Sequence, residues 1–402
     1  MPIKSRRAPA GASSWGAVLA MSLGAFALVA SEFMPVSLLT PIAADLHITE
    51  GQAGQAIAIS GAFALLTSLF ITSMAGKMDR KLLLLGMSML MIISGTVVAF
   101  APNYLVFMVG RALIGVAIGG FWSLSAATVM RLVAPDKIAR ALAILNGGNA
   151  LATVIAAPAG SFLGSLIGWR GAFLCVIPVA LIAFVWKLVT LPPMRNDTTV
   201  KPASLPSLLK RPEVALGMLA VSLFFMGQFA LFTYLRPFLE TVTHASVSAL
   251  SLLLLTLGVA GFAGTALIGG LLGNHLYRTL VAIPLLMAAV APALMTFGAS
   301  IAATAVLLAL WGLLATSAPV GWWTWLARTL PQDAEAGGGL MVAVVQLAIM
   351  LGAMVGGLVF DSSGYRGTFE LAAVILVIAS VASVLAARAG AQTSVALATS
   401  IK

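Results

Sequence analysis

The sequence predicts an all-α polytopic membrane protein with twelve transmembrane helices arranged as two pseudo-symmetric six-helix bundles. Of its 402 residues, 61% are hydrophobic and only 8% are charged, a composition that soluble domains do not have. Hydropathy divides the chain into apolar runs that can cross a bilayer as helices, since about 20 residues suffice. The second half of the chain also repeats the first at a constant offset.

Six apolar runs fall in each half. The predicted spans of the N-terminal bundle, residues 16–191, are 16–41, 53–75, 82–101, 105–130, 140–165 and 171–191. Those of the C-terminal bundle, residues 213–388, are 213–236, 248–272, 279–297, 302–327, 339–360 and 369–388. Residues 192–212 are polar and rich in Pro, Ser, Thr and Lys, which is typical of a linker. Residues 1–15 and 389–402 are tails.

Lysine and arginine, including Lys187 near the end of the sixth span, lie almost entirely in one set of connections, which includes both tails and the linker. The other set holds only Arg170, Arg236 and Arg366. Cytoplasmic loops of membrane proteins carry such an excess of cations. We therefore expect both termini in the cytoplasm, and we interpret the formal charge of +10 as topological rather than as a nucleic-acid surface.

The repeat has an offset of 196 positions. It superposes residues of the fifth and sixth spans on those of the eleventh and twelfth: Gly160, Gly168 and Arg170 on Gly356, Gly364 and Arg366. It also places Glu32 opposite Gln228. Because six is an even number of spans, both copies have the same orientation in the membrane. The N-half thus carries a titratable group where the C-half carries an uncharged amide.

Glu32 is a carboxylate inside the first span. No cation follows it at i+3 or i+4, where Pro35 and Val36 stand, so it has no partner within its helix. A charged carboxylate at this depth costs several kcal/mol, and ionisable groups inside spans are usually functional. We expect Glu32 to bind and release a proton. The alternative is a permanently protonated side chain that hydrogen-bonds a neighbouring helix.

Arg111 lies inside the fourth span, about 9 Å from its outer end, while Glu32 lies about 15 Å from the same face. A long arginine side chain can reach across that difference in height. One hypothesis is that Arg111 tunes proton binding by Glu32 and couples it to helix movement. An arginine that caps backbone carbonyls structurally, or extends towards the interface, is an equal alternative.

Polar and aromatic residues inside the spans predict the substrate site. The amides of Asn146, Asn149, Gln228 and Gln346 can donate and accept hydrogen bonds, and Trp122 and Trp311 can stack on a planar ligand. Helix packing is the alternative role for each of them taken singly. Trp322, Trp323 and Trp325 stand near the end of the tenth span and predict an aromatic belt at the membrane interface.

Two further motifs predict conformational elements. Gly76, Asp79 and Arg80 join the second and third spans, where a carboxylate can bind a neighbouring helix end. The alternative is a solvated loop. Pro158 and Gly160 in the fifth span predict either a hinge between the halves or close helix packing.

The sequence lacks the residues that a metalloprotein, an ATP-driven pump or a membrane enzyme would need. Cys175 is the only cysteine and the three histidines fall in separate loops, so we expect no metal site. No GxxxxGK[ST] motif occurs, so ATP is not the energy source, and we expect no cofactor. A membrane enzyme would need a catalytic constellation near one membrane face, which the sequence does not offer. We expect a monomer in the lipid bilayer.

Motif by motif, the chain resembles the twelve-span drug:proton antiporters of the major facilitator superfamily. The resemblance rests on the segment 76–81, on 110–115 around Arg111 and on 157–160. Within the superfamily, segments 32–41, 119–123, 227–237, 319–325 and 345–347 are similar to bacterial purine ribonucleoside efflux pumps. That resemblance adds Tyr234 to the substrate set. It implies an inner-membrane antiporter that exports inosine- or guanosine-like nucleosides in exchange for protons. A multidrug or sugar:proton antiporter of the same superfamily is the alternative, and an uncoupled facilitator would have no use for Glu32.

Overall fold

The computed structural model describes residues 14–75, 78–194, 205–331 and 333–400, and every regular element in them is a helix. The α-helices are α1 (Trp15–Ser37), α2 (Leu39–Leu46), α3 (Glu50–Ala75), α4 (Arg80–Ala99), α5 (Tyr104–Leu132), α6 (Ile138–Thr190), α7 (Leu205–Leu209), α8 (Pro212–Thr233), α9 (Leu235–Thr241), α10 (Val247–Leu267), α11 (Gly269–Phe297), α12 (Ile301–Thr329) and α13 (Ala334–Ser400). A short 3-10 turn, Pro135–Lys137, precedes α6.

Helices α6 and α13 each contain two membrane crossings. They are 53 and 67 residues long, or about 80 and 100 Å at 1.5 Å per residue, against a hydrocarbon core of about 30 Å. Each is broken at one glycine with positive φ, Gly168 at 75° and Gly364 at 66°. Glycine adopts this backbone conformation without steric cost. The ten apolar helices of the described residues therefore supply the twelve crossings that the sequence predicts.

The backbone carries the same offset of 196 as the sequence. Gly168 and Gly364 are 196 residues apart, and so are the breaks at Leu38, between α1 and α2, and at Tyr234, between α8 and α9. Leu38 has φ −120° and ψ 12°, and Tyr234 has φ −106° and ψ 18°. The repeat is thus a repeat of helix breaks as well as of residues.

The bundle has a basic face and an opposite face, distinguished by the charges of their loops. The basic face holds the start of α1, the start of α4, the end of α5, the start of α8 and the end of α12. The opposite face holds the end of α2, the start of α3, Gly168 and Gly364. At the opposite face, Asp45 pairs with Arg170, which also donates to the carbonyl of Ala101 at 2.8 Å. The Arg170 guanidinium holds the pKa of the Asp45 carboxyl below its usual range by hydrogen bonding to it.

Helices α3 and α5 pack backbone against backbone through glycine. A Cβ atom at Gly119 would lie 2.3 Å from the carbonyl oxygen of Ala64, and one at Gly115 would lie 2.3 Å from that of Ser60. Small residues allow such approach between membrane helices, where packing rather than hydrophobic burial drives association. The spacing between α3 and α5 matters for the site, because Arg111 of α5 donates hydrogen bonds to α3.

We expect Gly119→Ala to lower the free energy of unfolding by about 1–3 kcal/mol, the usual cost of overpacking. Gly86→Ala is the matched control, because a Cβ there meets nothing within 4 Å, and it should be neutral or slightly stabilising. Thermal unfolding of the two purified variants in detergent measures the difference. Equal midpoints would contradict the close approach of α3 and α5.

Candidate functional site

The site begins with a proline that frees a backbone carbonyl. Pro35 lies inside α1 and has no N–H, so the carbonyl of Ser31, four residues earlier, loses its helical partner. Arg111 on α5 donates to this oxygen from Nη1 at 2.8 Å and to the carbonyl of Glu32 from Nη2 at 2.8 Å. The guanidinium therefore replaces the missing N–H at the turn of α1 that carries Glu32.

Arg111 is fully buried and joins three helices. Its Nε donates to the carbonyl of Ala56 at 3.2 Å, and Nη2 donates to Ser60 Oγ at 3.3 Å, both on α3. Capping of backbone carbonyls, one of the two alternatives, is therefore what its hydrogen bonds do. The positive charge also attracts the carboxyl group of Glu32. That this attraction tunes proton binding stays a prediction.

The Glu32 side chain is 5% exposed and faces the other half of the molecule. Its carboxyl interacts with the side-chain amide of Gln346 on α13, which is also 5% exposed. An amide can donate to a carboxylate through its NH₂ and accept from a carboxylic acid through its oxygen. Gln346 can therefore serve both protonation states of Glu32.

Aromatic rings join the halves next to this pair. Phe33 on α1 stacks on Phe229 on α8 with ring centroids 5.5 Å apart. Gln228, the repeat counterpart of Glu32, precedes Phe229, and its side-chain oxygen is buried without a hydrogen-bond donor in the described chain. The structure thus brings Glu32 and Gln346 together between the halves, and Gln228, with a free acceptor, is the chain neighbour of the ring that stacks on Phe33.

The remaining predicted substrate residues divide by location. Trp122 is half-buried and packs in the cluster that contains Phe33, edge-on to Phe121 at 5.6 Å. Asn149 is half-buried. Asn146 is exposed, and its amide donates to the carbonyl of Leu142 in its own helix at 2.9 Å. Trp311 is 1% exposed within the core of the C-half.

Tyr234 lies in a contact between the halves at the opposite face. It is fully buried, donates to the carbonyl of Ala353 at 2.8 Å, lies 3.4 Å from that of Gly51, and stacks on Phe360. Its hydroxyl is thus occupied within the protein. Its role in substrate binding stays a prediction.

A carboxylate of the C-half caps a helix of the N-half beside Tyr234. Asp361 on α13 accepts from Thr49 Oγ1 at 2.6 Å and from the backbone N–H of Gly51 at 3.0 Å. Both donors stand at the start of α3, where the first N–H groups of a helix lack partners. Asp361 was not among the residues predicted from the sequence, since it lies one residue beyond the predicted eleventh span. The start of a helix after Thr49 was the feature of the sequence that could have indicated a capping carboxylate.

The predicted latch binds within its own half. Asp79 caps α4 by accepting from the N–H of Lys81 at 2.8 Å, and it also accepts from the N–H of Met194, beyond α6, at 2.8 Å. The backbone N–H of Arg80 donates to the carbonyl of Met194 at 3.0 Å. Gly76 lies outside the described residues.

The predicted hinge residues face two neighbours. A Cβ at Gly160 would lie 2.5 Å from Ser37 Oγ, so this glycine packs α6 on α1 within the N-half. Pro158 frees the carbonyl of Val154, and there α6 meets α10 of the C-half: a Cβ at Gly258 would lie 2.9 Å from the Val154 oxygen. Pro158 alone of the two therefore belongs to the boundary between the halves.

Two expectations from the sequence are wrong. Lys187 was placed among the loop cations, but it is 1% exposed; its Nζ donates to Ser88 Oγ at 2.7 Å and lies 5.2 Å from the Phe121 ring centroid. The lysine stem is long enough to draw the charge inward from the helix end. Of the three tryptophans expected in the interface belt, Trp322 and Trp325 are 2% and 0% exposed, and only Trp323, at 47%, is exposed.

Comparison with known proteins identifies the family. Residues 21–338, which make up most of the chain, match the family described as Major Facilitator Superfamily. The chain belongs to the major facilitator superfamily. A solved structure of a bacterial homologue of the human lysosomal transporter Spinster, inward-facing and unoccupied, has a TM-score of 0.79 and 17% identity. It covers 95% of this chain and 98% of that chain, and it shares the fold. This superfamily member is a multi-pass membrane transporter and not an enzyme.

Curated relatives within the superfamily cover nearly the whole chain. A protein of Pseudomonas aeruginosa PAO1 called transcription regulatory protein OpdE is 61% identical over 387 residues, 95% of this chain and 96% of that one. The purine ribonucleoside efflux pump NepI of Salmonella enteritidis PT4 is 39% identical over 365 residues, 91% of this chain and 92% of that one. NepI of Salmonella typhimurium LT2 is also 39% identical, over 89% of this chain and 90% of that one.

Proposed function

We propose that the protein is a proton-coupled antiporter that exports purine ribonucleosides such as inosine and guanosine across the bacterial inner membrane. Both termini and the linker 192–212 lie in the cytoplasm, and the bundles 16–191 and 213–388 alternate access to a site between them. The observation that carries the proposal is the buried Glu32 carboxyl, which meets an amide of the other half at Gln346. Protonation there changes a contact between the halves.

The proton acts on one oxygen of the Glu32 carboxylate. A proton from the outer side adds to this oxygen and removes the negative charge that attracts Arg111. On the cytoplasmic side the proton dissociates, and the carboxylate regains its negative charge. For antiport, proton and nucleoside have to favour different conformations, because a ligand shifts an equilibrium only by its differential affinity for the two states. Arg111 stays attached to the backbone of Glu32 throughout, so the change falls on the contact with Gln346.

The nucleoside assignment is supported by two observations. A purine base is planar and the ribose carries hydroxyls, which suits stacking on Trp122 or the Phe33–Phe229 pair and donation to the free oxygen of Gln228. The NepI proteins, called purine ribonucleoside efflux pumps, are 39% identical over about nine-tenths of the chain. Multidrug or sugar:proton antiport is the alternative.

The test is uptake of radiolabelled inosine into inverted membrane vesicles, with a proton gradient imposed and then collapsed. We expect accumulation that depends on the gradient and that unlabelled guanosine competes away. Sugars and lipophilic cations are the competitors that represent the alternative. Vesicles that contain folded protein but accumulate no inosine would contradict the substrate assignment.

The name of the 61% identical relative favours a second candidate, an effect on transcription. A transporter that lowers the internal concentration of an inducer changes transcription without touching DNA. Levels of the affected transcripts, compared between cells carrying the wild-type protein and cells carrying Glu32→Gln, distinguish an effect through transport from direct regulation. If transport causes the effect, the transport-deficient variant loses it; a direct regulator keeps it.

A further inference from the structure

The C-half contains a cavity of about 500 Å³ at the basic face, away from Glu32. It lies between the start of α8, the break in α11, the end of α12 and the end of α13. The acidic and basic residues that line it are Glu213, Arg278 and Arg328, together with the imidazole of His275. Glu213 is engaged by the Tyr277 hydroxyl at 3.2 Å and lies 3.5 Å from Thr329 Oγ1. Arg328 donates to the carbonyl of Leu272 at 3.1 Å. Two arginines against one carboxylate still leave an excess of positive charge, which suits an anion.

The cavity also offers a donor whose hydrogen bonding is incomplete. Trp325 lines it and is 0% exposed, and its indole N–H makes no hydrogen bond of good geometry among the residues described, although it interacts with the Tyr277 hydroxyl. An indole nitrogen can only donate. A buried donor without a well-placed acceptor is costly, so an oxygen-bearing ligand at this point would be stabilised.

An apolar groove of about 370 Å³ adjoins the cavity and shares His275 and Arg278 with it. The groove follows one side of α11 from the basic face into the membrane, past Ala282, Ile283 and Leu286. Residues three to four apart lie on one side of a helix, so Arg278, Ala282 and Leu286 form a continuous strip. Leu286 is 48% exposed. The ligand therefore needs an anionic head and an apolar tail.

At the repeat-related position of the N-half, a hydrogen bond stands where the C-half has the cavity. His275 and Gly390 line the cavity, and the residues 196 positions earlier are Asp79 and Met194. In the N-half these two are joined by a hydrogen bond of 2.8 Å. In the C-half the acid is replaced by histidine, and at Gly390 even a Cβ would lie 2.6 Å from Glu213 Oε1. The repeat thus has an internal contact in one half and an open, cation-lined cavity in the other.

From the charge, the incompletely bonded indole and the adjoining groove, we infer that this region binds one anionic phospholipid of the membrane. The phosphodiester takes hydrogen bonds from Arg278, Arg328 and the Trp325 indole, and an acyl chain lies along α11. Arginine suits phosphate because its planar guanidinium donates two parallel hydrogen bonds. Basic pockets between transmembrane helices at the cytoplasmic side bind such head groups.

The test is native mass spectrometry of the full-length protein in detergent, titrated with phosphatidylglycerol. We expect Arg278→Gln/Arg328→Gln to bind this lipid about 25-fold more weakly, from about fivefold per cation. Arg278→Lys/Arg328→Lys keeps the charge and should recover most of the binding. The control is Lys137→Gln, a cation exposed at the same face in the N-half. Equal affinity of the double glutamine variant and the control would overturn the inference.

A second arm separates lipid from free phosphate. Ala282→Trp fills the groove and leaves every charge in place, so it should weaken phosphatidylglycerol binding without needing any change in the cavity. Phosphatidylcholine should bind weakly, and inorganic phosphate should not displace phosphatidylglycerol. Displacement by inorganic phosphate, together with unchanged lipid binding by Ala282→Trp, would show a soluble-anion site and overturn the lipid assignment. Proton coupling and nucleoside transport enter neither arm.

Discussion

Glu32→Gln is expected to abolish gradient-driven export while leaving the folded protein and its exchange of nucleoside intact. Glutamine has the shape of glutamate but cannot take up and release a proton. The fold already holds Gln228 at the repeat position and Gln346 beside Glu32, so an amide fits this region. Uphill accumulation of inosine in inverted vesicles should fall to the level of vesicles without the protein.

The control for this variant is Glu370→Gln, which removes an exposed carboxylate of α13. It should accumulate inosine as the wild type does. Counterflow exchange of labelled for unlabelled inosine, with no proton gradient, checks that Glu32→Gln still binds and moves substrate. Uphill transport by Glu32→Gln would remove Glu32 from the proton pathway and leave the fold untouched.

Arg111→Lys is expected to lower the free energy of unfolding by about 2–4 kcal/mol although it keeps the positive charge. The guanidinium serves three backbone carbonyls and Ser60 Oγ. A lysine ammonium has three donors at one point and cannot span α1 and α3, so buried carbonyls lose their partners at about 1–3 kcal/mol each. Thermal unfolding in detergent measures the change.

Arg140→Lys is the matched control, because Arg140 is exposed and lies over the Trp15 ring. It should shift the unfolding midpoint little. A double-mutant cycle then separates the two roles of Arg111. If the Arg111 charge acts on the Glu32 carboxyl, Arg111→Met should lower the free energy of unfolding less in the Glu32→Gln background than in the wild type. Additive effects would leave Arg111 a purely structural clamp.

The sequence predicted the crossings and the repeat because both follow from local properties, apolar length and residue spacing. It also contained the freed carbonyls, since Pro35 and Pro41 mark Ser31 and Ser37 by the absence of an N–H. It could not say which donors fill them. Arg236 comes from 199 residues away to bond the Ser37 carbonyl, and only tertiary packing sets such a pairing.

Burial of side chains at helix ends was the least predictable feature. Lys187, Trp322 and Trp325 have sequence positions typical of the membrane interface, yet all three are buried. Their long side chains can turn inward or outward from the same backbone position, so hydropathy does not separate the two outcomes. The candidate site was predicted at Glu32 and Arg111, whereas its partner contact with Gln346 and the cap by Asp361 required the fold.

The two prolines of the first crossing mark two carbonyls that are bonded to different halves of the molecule. The carbonyl freed by Pro35 is bonded by Arg111 of the same half, and the carbonyl freed by Pro41 is bonded by Arg236 of the other half. When the halves separate at the opposite face, the bond to Arg236 has to break, whereas the bond to Arg111 can persist. The chain break at Leu38 lies between them. The break therefore separates a contact that opening of the opposite face removes from a contact that it leaves, and the segment bearing Glu32 keeps its anchor within its own half.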